Sequence, residues 1–172
     1  MIPDPDGAAA VRAAREIAEA ETEGKSVNPP LPEAFSAVDA GAFVTVNEHP
    51  SGMLRGCIGY PAPPFSLDRA VRLAAVGVCH DPRFPPLRRA EAERCVFEVS
   101  LLTEPRRIEY RDVDDLMSQI TLGTDGLIVR MCNGKEVLRS ALFLPQVPTE
   151  QGWDKEEYLD NLCWKAGIEP SA

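Results

Sequence analysis

Arg55 and Cys57 stand two residues apart in MLRGCIGY, residues 53–60, and together they could do thiol chemistry. Successive side chains of a strand flip, so Arg55, Cys57 and Gly59 point to one face while Leu54, Ile58 and Tyr60 point to the other. The apolar set claims the core. A guanidinium then stands about 6.5–7 Å from a thiol on the same face, close enough to favour thiolate, the reactive form of cysteine. The pair has other uses as well: Arg55 could hold an anionic ligand while Cys57 lines the wall. Equally, Cys57 could be a small residue packed under a loop, with Arg55 on a surface carboxylate.

The elements that position this segment follow from pattern. Residues 8–23 are rich in helix formers with apolar residues at helical spacing, and Gly24 ends them. FVTVNE (43–48) and residues 53–60 flank a short turn and read as an antiparallel hairpin. Pro61, Pro63 and Pro64 stop it. Ser66 caps a helix that carries Leu67, Val71, Ala74, Ala75 and Val78 on one face and ends near His80. A strand over 94–102 and a short helix over 112–119 follow. GLIVRM and EVLRSALFL flank Asn133-Gly134 as a second hairpin, and an amphipathic helix over 153–166 closes at Gly167.

Length and composition bound the function. With 172 residues, 44% hydrophobic and 26% charged, the chain is expected to form one globular domain over 1–172. A formal net charge of −9 repels phosphate backbones, which makes nucleic acid an unlikely partner. No uncharged apolar run spans a bilayer, and MIPDPDG is acidic where a signal peptide is basic, so the expected location is cytoplasmic. Five cysteines without a C-x-x-C pair, and only two histidines, argue against a zinc site or a disulfide framework. No metal and no cofactor are expected.

Hairpin, prolines and helix occur twice, and a shift of 84 residues overlays residues 43–86 on 127–170. LRGCIGYP falls on LRSALFLP, Pro64 on Pro148, Cys79 on Cys163 and Pro86 on Pro170. An internal duplication is expected, with both hairpins in one curved sheet of an α+β domain. The overlay sorts the cysteines. Cys79 and Cys163 share a helical place and read as core; Cys95 and Cys132 read as strand packing. Cys57 falls opposite Ala141, so that strand position can be built without sulfur.

LRGCIG (54–59) resembles the signature of the AMMECR-one domain family. The likeness continues through FVTV, HDPRFPP (80–86), EVSLLTEP (98–105), GTDGLIV (123–129), LPQVPTEQGW (144–153) and KAG (165–167), nearly the whole chain. It implies an α+β domain with a barrel-like, mostly antiparallel sheet flanked by helices, and an internal hairpin-plus-helix duplication. It also implies a shared pathway with Memo-like and radical SAM proteins, beside which relatives are often encoded or fused. The chain lacks the C-x-x-x-C-x-x-C pattern of an iron–sulfur site. Where relatives usually carry His-Gly, Asp125-Gly126 stands here.

HDPRFPP follows the helix that leaves the LRGCIG strand, so Asp81 and Arg83 can return to its edge and build an anion pocket with Arg55. They could equally be the local bonds of a proline-fixed loop with Phe84 plugging the core. The candidate residues are Cys57 as catalytic thiol, with Arg55, Gly56, Gly59, Asp81, Arg83 and Gln146 as ligand contacts. Neither His49 nor His80 is placed to act as base, which leaves Glu98 and Asp81. Two functions compete: a thiol-dependent enzyme or binder for a small anionic molecule or modified peptide, and a non-catalytic protein-interaction module working with Memo-like or radical SAM partners.

Overall fold

A computed structural model of the chain describes residues 4–170. The fold is α+β, with antiparallel sheets and flanking helices, and its contacts divide it into two compact units that part after Glu104.

The first unit runs α1 (Asp4–Thr22), a 3-10 turn (Glu33–Ala37), β1 (Ala42–Glu48), β2 (Leu54–Tyr60), α2 (Leu67–Gly77), a 3-10 turn (Val78–His80), α3 (Arg89–Ala92) and β3 (Cys95–Leu101). Its sheet has the order β2-β1-β3, antiparallel throughout. Ala10, Ala14, Ile17 and Ala18 recur at helical spacing and are buried, as are Ala70, Val71, Ala74 and Ala75 of α2. Small side chains on both stripes let the helices approach closely over the sheet. Ala42, Val44 and Val46 of the central strand are almost fully buried, joined by Phe97 of β3 and the partly buried Ile58 and Tyr60 of β2.

The hairpin contains a bulge that alternation does not reveal. Val46 faces Gly56 but Asn47 faces Leu54, so Arg55 is an extra residue in β2. A bulge reverses the facing of everything beyond it. Leu54 therefore shares the outer face with Asn47 and is 41% exposed, whereas Arg55 is 7% exposed. The expected arrangement, Leu54 in the core and Arg55 beside Cys57, is corrected by that one residue.

The second unit runs α4 (Val113–Gln119), β4 (Leu127–Asn133), β5 (Glu136–Phe143), α5 (Gln146–Gln151) and α6 (Lys155–Ala166). Gly134 takes a φ of +61° in the β4–β5 turn, a backbone region that glycine occupies without strain. Asp154 and Glu157 form a reciprocal capping box on α6, and Gly167 ends that helix with φ +69°. The core of this unit gathers Ile120, Leu127, Tyr158 and Leu162, with Phe143 and Trp153 edge to face at 5.5 Å.

Among the described residues no closed barrel forms, and the two hairpins do not share one sheet: β2-β1-β3 and β4-β5 are separate ladders. Closure needs every edge strand to find a partner. The outer edge of β2 is instead taken up by side chains of its own unit, as described below. Within each hairpin the pairing is alike, Thr45 facing Cys57 in one and Val129 facing Ala141 in the other. Cys132, expected in strand packing, is exposed near the end of the second hairpin. Among the described residues no helix is long and apolar enough to cross a membrane.

Candidate functional site

The outer face of the three-stranded sheet carries Cys57, Thr45 and Glu98 in one row, from β2 through β1 to β3. Thr45 Oγ1 donates to Cys57 Sγ at 3.2 Å. On the far side of the row, Asn47 Nδ2 donates to Glu98 Oε2 at 3.3 Å. Cys57 is half-buried, so the thiol is neither core packing nor fully solvated.

Because β2 is an edge strand, half of its backbone groups face away from the sheet. Those of Cys57 are met by the turn that follows α2. The Cys57 amide donates to Asp81 Oδ2 at 2.9 Å, and Arg83 Nη2 donates to the Cys57 carbonyl at 3.1 Å. Asp81 also accepts from the Arg83 amide at 3.0 Å and from Arg83 Nε and Nη2 at 3.0 and 2.7 Å. A side-on ion pair thus substitutes for a fourth strand at this one residue. The Arg83 guanidinium, with the Cys57 and Arg83 amides, holds the Asp81 carboxyl well below the usual carboxylate range, although burial works the other way. The Asp81 side chain is 1% exposed and that of Arg83 is 55% exposed. One end of the pair is therefore fixed inside, while the other reaches water.

Arg55 does not join this group. Its Nε and Nη2 donate to the two carboxylate oxygens of Glu91, both at 3.2 Å, and Nη2 also donates to the Pro85 and Pro86 carbonyls at 3.0 and 3.4 Å. Its charge bears on the thiols of Cys79 and Cys95. Arg55 thereby ties the bulge of β2 to the proline turn and to α3, and its hydrogen bonds hold the Glu91 carboxyl down. The guanidinium that touches Cys57 is that of Arg83, at its backbone carbonyl. Phe84 is half-buried, with its ring within cation–π range of both guanidinium groups, at 5.9 Å from Arg55 and 5.6 Å from Arg83. It does not plug the core.

Both glycines of the segment are places where a side chain would collide. A Cβ on Gly56 would meet the Val78 carbonyl at 3.0 Å and Val78 Cγ2 at 3.1 Å, so Gly56 lets β2 lie against the end of α2. A Cβ on Gly59 would run into the ring of Phe43, its cross-strand partner. The glycine leaves no open groove there, because Phe43 fills the space. Gln146 is exposed at the start of α5 in the second unit. His80 is paired with Glu21 at 2.8 Å, and Asp125 accepts from the Thr121 amide at 2.7 Å. Among the described residues no three His, Cys, Asp or Glu side chains gather as a metal site.

Thr45, Asn47 and Glu91 escaped the sequence reading. Thr45 was legible in part, since any residue opposite Cys57 in the hairpin sits within side-chain reach. Glu91 was not, because nothing local links it to a strand 36 residues earlier.

The fold is α+β, with Cys57 on an edge strand pinned by Asp81 and Arg83. The chain belongs to the AMMECR1 family, whose model matches residues 11–172. It is 43% identical over 165 residues to Protein PH0010 of Pyrococcus horikoshii, covering 92% of this chain and 76% of that one. Protein MJ0810 of Methanocaldococcus jannaschii is 42% identical over 167 residues, covering 96% and 80%. The crystal structure of the uncharacterized protein PH0010 superposes with a TM-score of 0.84 at 40% identity, covering 98% of this chain and 83% of that one.

Proposed function

We propose that the outer sheet face at Cys57 is a thiol-dependent site for a small anionic molecule or modified peptide. Cys57 supplies the thiol and Arg83 the positive charge. The observation that carries this is the investment in one residue. A buried carboxylate and its arginine hold both outward backbone groups of Cys57, Thr45 donates to its sulfur, and the residue itself is only half-buried. Packing alone does not need this, and the likeness of pairing between the hairpins supports reading 43–86 and 127–170 as repeats in which alanine stands at the same place. Among the described residues Arg83 Nη1 has no hydrogen-bond partner, so an anionic group can take it. Arg55 serves the fold, and Gln146 has no part in this reading.

A second reading, the interaction module, draws on the neighbouring row of the same face. There Leu54 and Val96, 41% and 47% exposed, flank Asn47. The two are separated by alkylating the protein with neutral iodoacetamide and anionic iodoacetate and reading each cysteine by peptide mass. At a thiol-dependent anion site the iodoacetate-to-iodoacetamide rate ratio at Cys57 exceeds that at exposed Cys132, and falls in Arg83→Ala. Thr45→Val changes the rate with both reagents. A Cys57 that reacts no faster than buried Cys79, unchanged in both variants, overturns the proposal and favours the module.

A further inference from the structure

The outer half of the β4–β5 hairpin projects beyond the core of its unit. Every residue from 130 to 140 is exposed, on both faces of the ladder. The core takes only the base of the hairpin, through Leu127, Val129, Ala141 and Phe143. A two-stranded ladder is marginal by itself, and among the described residues no third strand joins this one. The arm nevertheless displays Met131, Val137 and Leu138 to solvent, the last two half exposed. It is also basic in an acidic chain: Arg130, Lys135 and Arg139 outnumber Glu136, against a formal net charge of −9 overall. Among the described residues none of these three cations has a hydrogen-bond or ion-pair partner for its side chain.

The helix α6 of the same unit carries the complement. Glu156, Asp160 and Trp164 recur every four residues and so share one face. Among the described residues the Glu156 and Asp160 carboxylates have no partner. Trp164 is 60% exposed and belongs to neither core cluster. Arginine and tryptophan are the side chains most enriched where proteins meet. The spacings also agree. Asp160 and Trp164 lie about 6 Å apart along the helix. Val137 stands opposite Cys132, two residues beyond Arg130 on β4, so it shares the face of Arg130 at about 7 Å along the strand. Within one chain no bond or ring contact joins the arm to this stripe among the described residues.

We infer that the arm of one copy of the chain lies on the α6 stripe of a second copy, and that the second arm returns the contact. Arg130 pairs with Asp160, and Val137 and Leu138 cover Trp164. Two copies that exchange one contact close a symmetric pair and leave neither arm over. The like net charges of the copies oppose association, and the basic arm reverses that field locally.

Sedimentation of the whole protein reads the association. A reversible dimer is expected, with a dissociation constant of about 100 μM or below. It should weaken between about 0.1 and 1 M salt, as the charges are screened. Cys132 shares the docking face, so its alkylation should slow as protein concentration rises. Arg130→Glu and Asp160→Arg change side chains outside the core, and each alone is expected to weaken the dimer at least about tenfold. Trp164→Ala is expected to weaken it about tenfold without changing charge. An equal mixture of Arg130→Glu and Asp160→Arg should associate again, because each contact between arm and stripe then pairs opposite charges at these two positions. The inference is overturned if the native protein remains a monomer at about 1 mM, the weak end of specific association. It is equally overturned if a dimer survives both single charge variants unchanged, or if mixing them restores nothing. A monomer whose arm takes up polyglutamate would assign the arm to an acidic partner of another kind, which also overturns it.

Discussion

Replacing Asp81 tests the device that fixes Cys57. In Asp81→Ala the Cys57 amide loses its acceptor, the Arg83 amide loses its turn bond and the guanidinium loses its partner. A backbone donor bonded to a carboxylate contributes roughly 1.5–3 kcal/mol, and the turn bond roughly another 1. The guanidinium adds little, because it is more than half exposed and rehydrates when released. The expected loss is about 2–4 kcal/mol. At about 2–4 °C per kcal/mol for a chain of this length, the thermal midpoint falls by roughly 5–15 °C. Asp81→Asn keeps one acceptor and loses the charge, so its loss is about half as large. The pH dependence has a definite sign. Asp81 has a folded pKa below its unfolded one, so it contributes stability above the unfolded value near 3.9, and that stability is lost as pH falls through the folded value. The gap between native protein and Asp81→Asn is therefore level at neutral pH and shrinks once the pH drops below about 4. Thermal and urea unfolding followed by far-UV circular dichroism, the latter at several pH values, measure the two effects. A midpoint within about 1 °C of native for Asp81→Ala, or a gap that widens in acid, would refute the reasoning.

Gly59→Ala should cost roughly 1–3 kcal/mol, because the new methyl meets the Phe43 ring and the Ala42 carbonyl at 2.6 Å. Urea unfolding reads the loss, and adding Phe43→Ala should leave part of it in place, since the carbonyl contact remains. Cys79 should resist alkylation at pH 8 in the native protein and label fully in guanidinium. Burial first, and Glu21 second, push its thiol up to about 12 against the opposing effect of Arg55; labelling at the rate of exposed Cys132 would show the site open. Burial likewise pushes the Tyr158 phenol up to about 12, and the hydroxyl donates to the Asp125 and Phe143 carbonyls at 3.2 and 3.4 Å. In an ultraviolet titration Tyr158→Phe should remove the late phase of ionisation while costing roughly 0.5–1.5 kcal/mol.

The amino-acid sequence by itself determined the order of elements, since α1, both hairpins, α2 and α6 follow from local periodicity, prolines and glycines. It also paired the strand of Cys57 with β1. It left Asp81 and Arg83 open between a return to the β2 edge and local bonds of the proline loop, and the structure makes both. The helix of residues 146–151 went unread because Pro148 marks a stop in sequence, whereas Pro145 and Pro148 sit in a single short turn here. Only tertiary structure decided where Arg55 goes. Alternation counts residues along one strand, and a bulge is a mismatch between two, so a single extra residue carried Arg55 off the Cys57 face to Glu91, far away in sequence. Tertiary structure likewise decided that Phe43 covers Gly59, and that the two hairpins stay in separate sheets. Pairing between distant segments depends on which edges remain open. Here Asp81 and Arg83 hold the β2 edge at Cys57, a long-range competition that no window of residues contains.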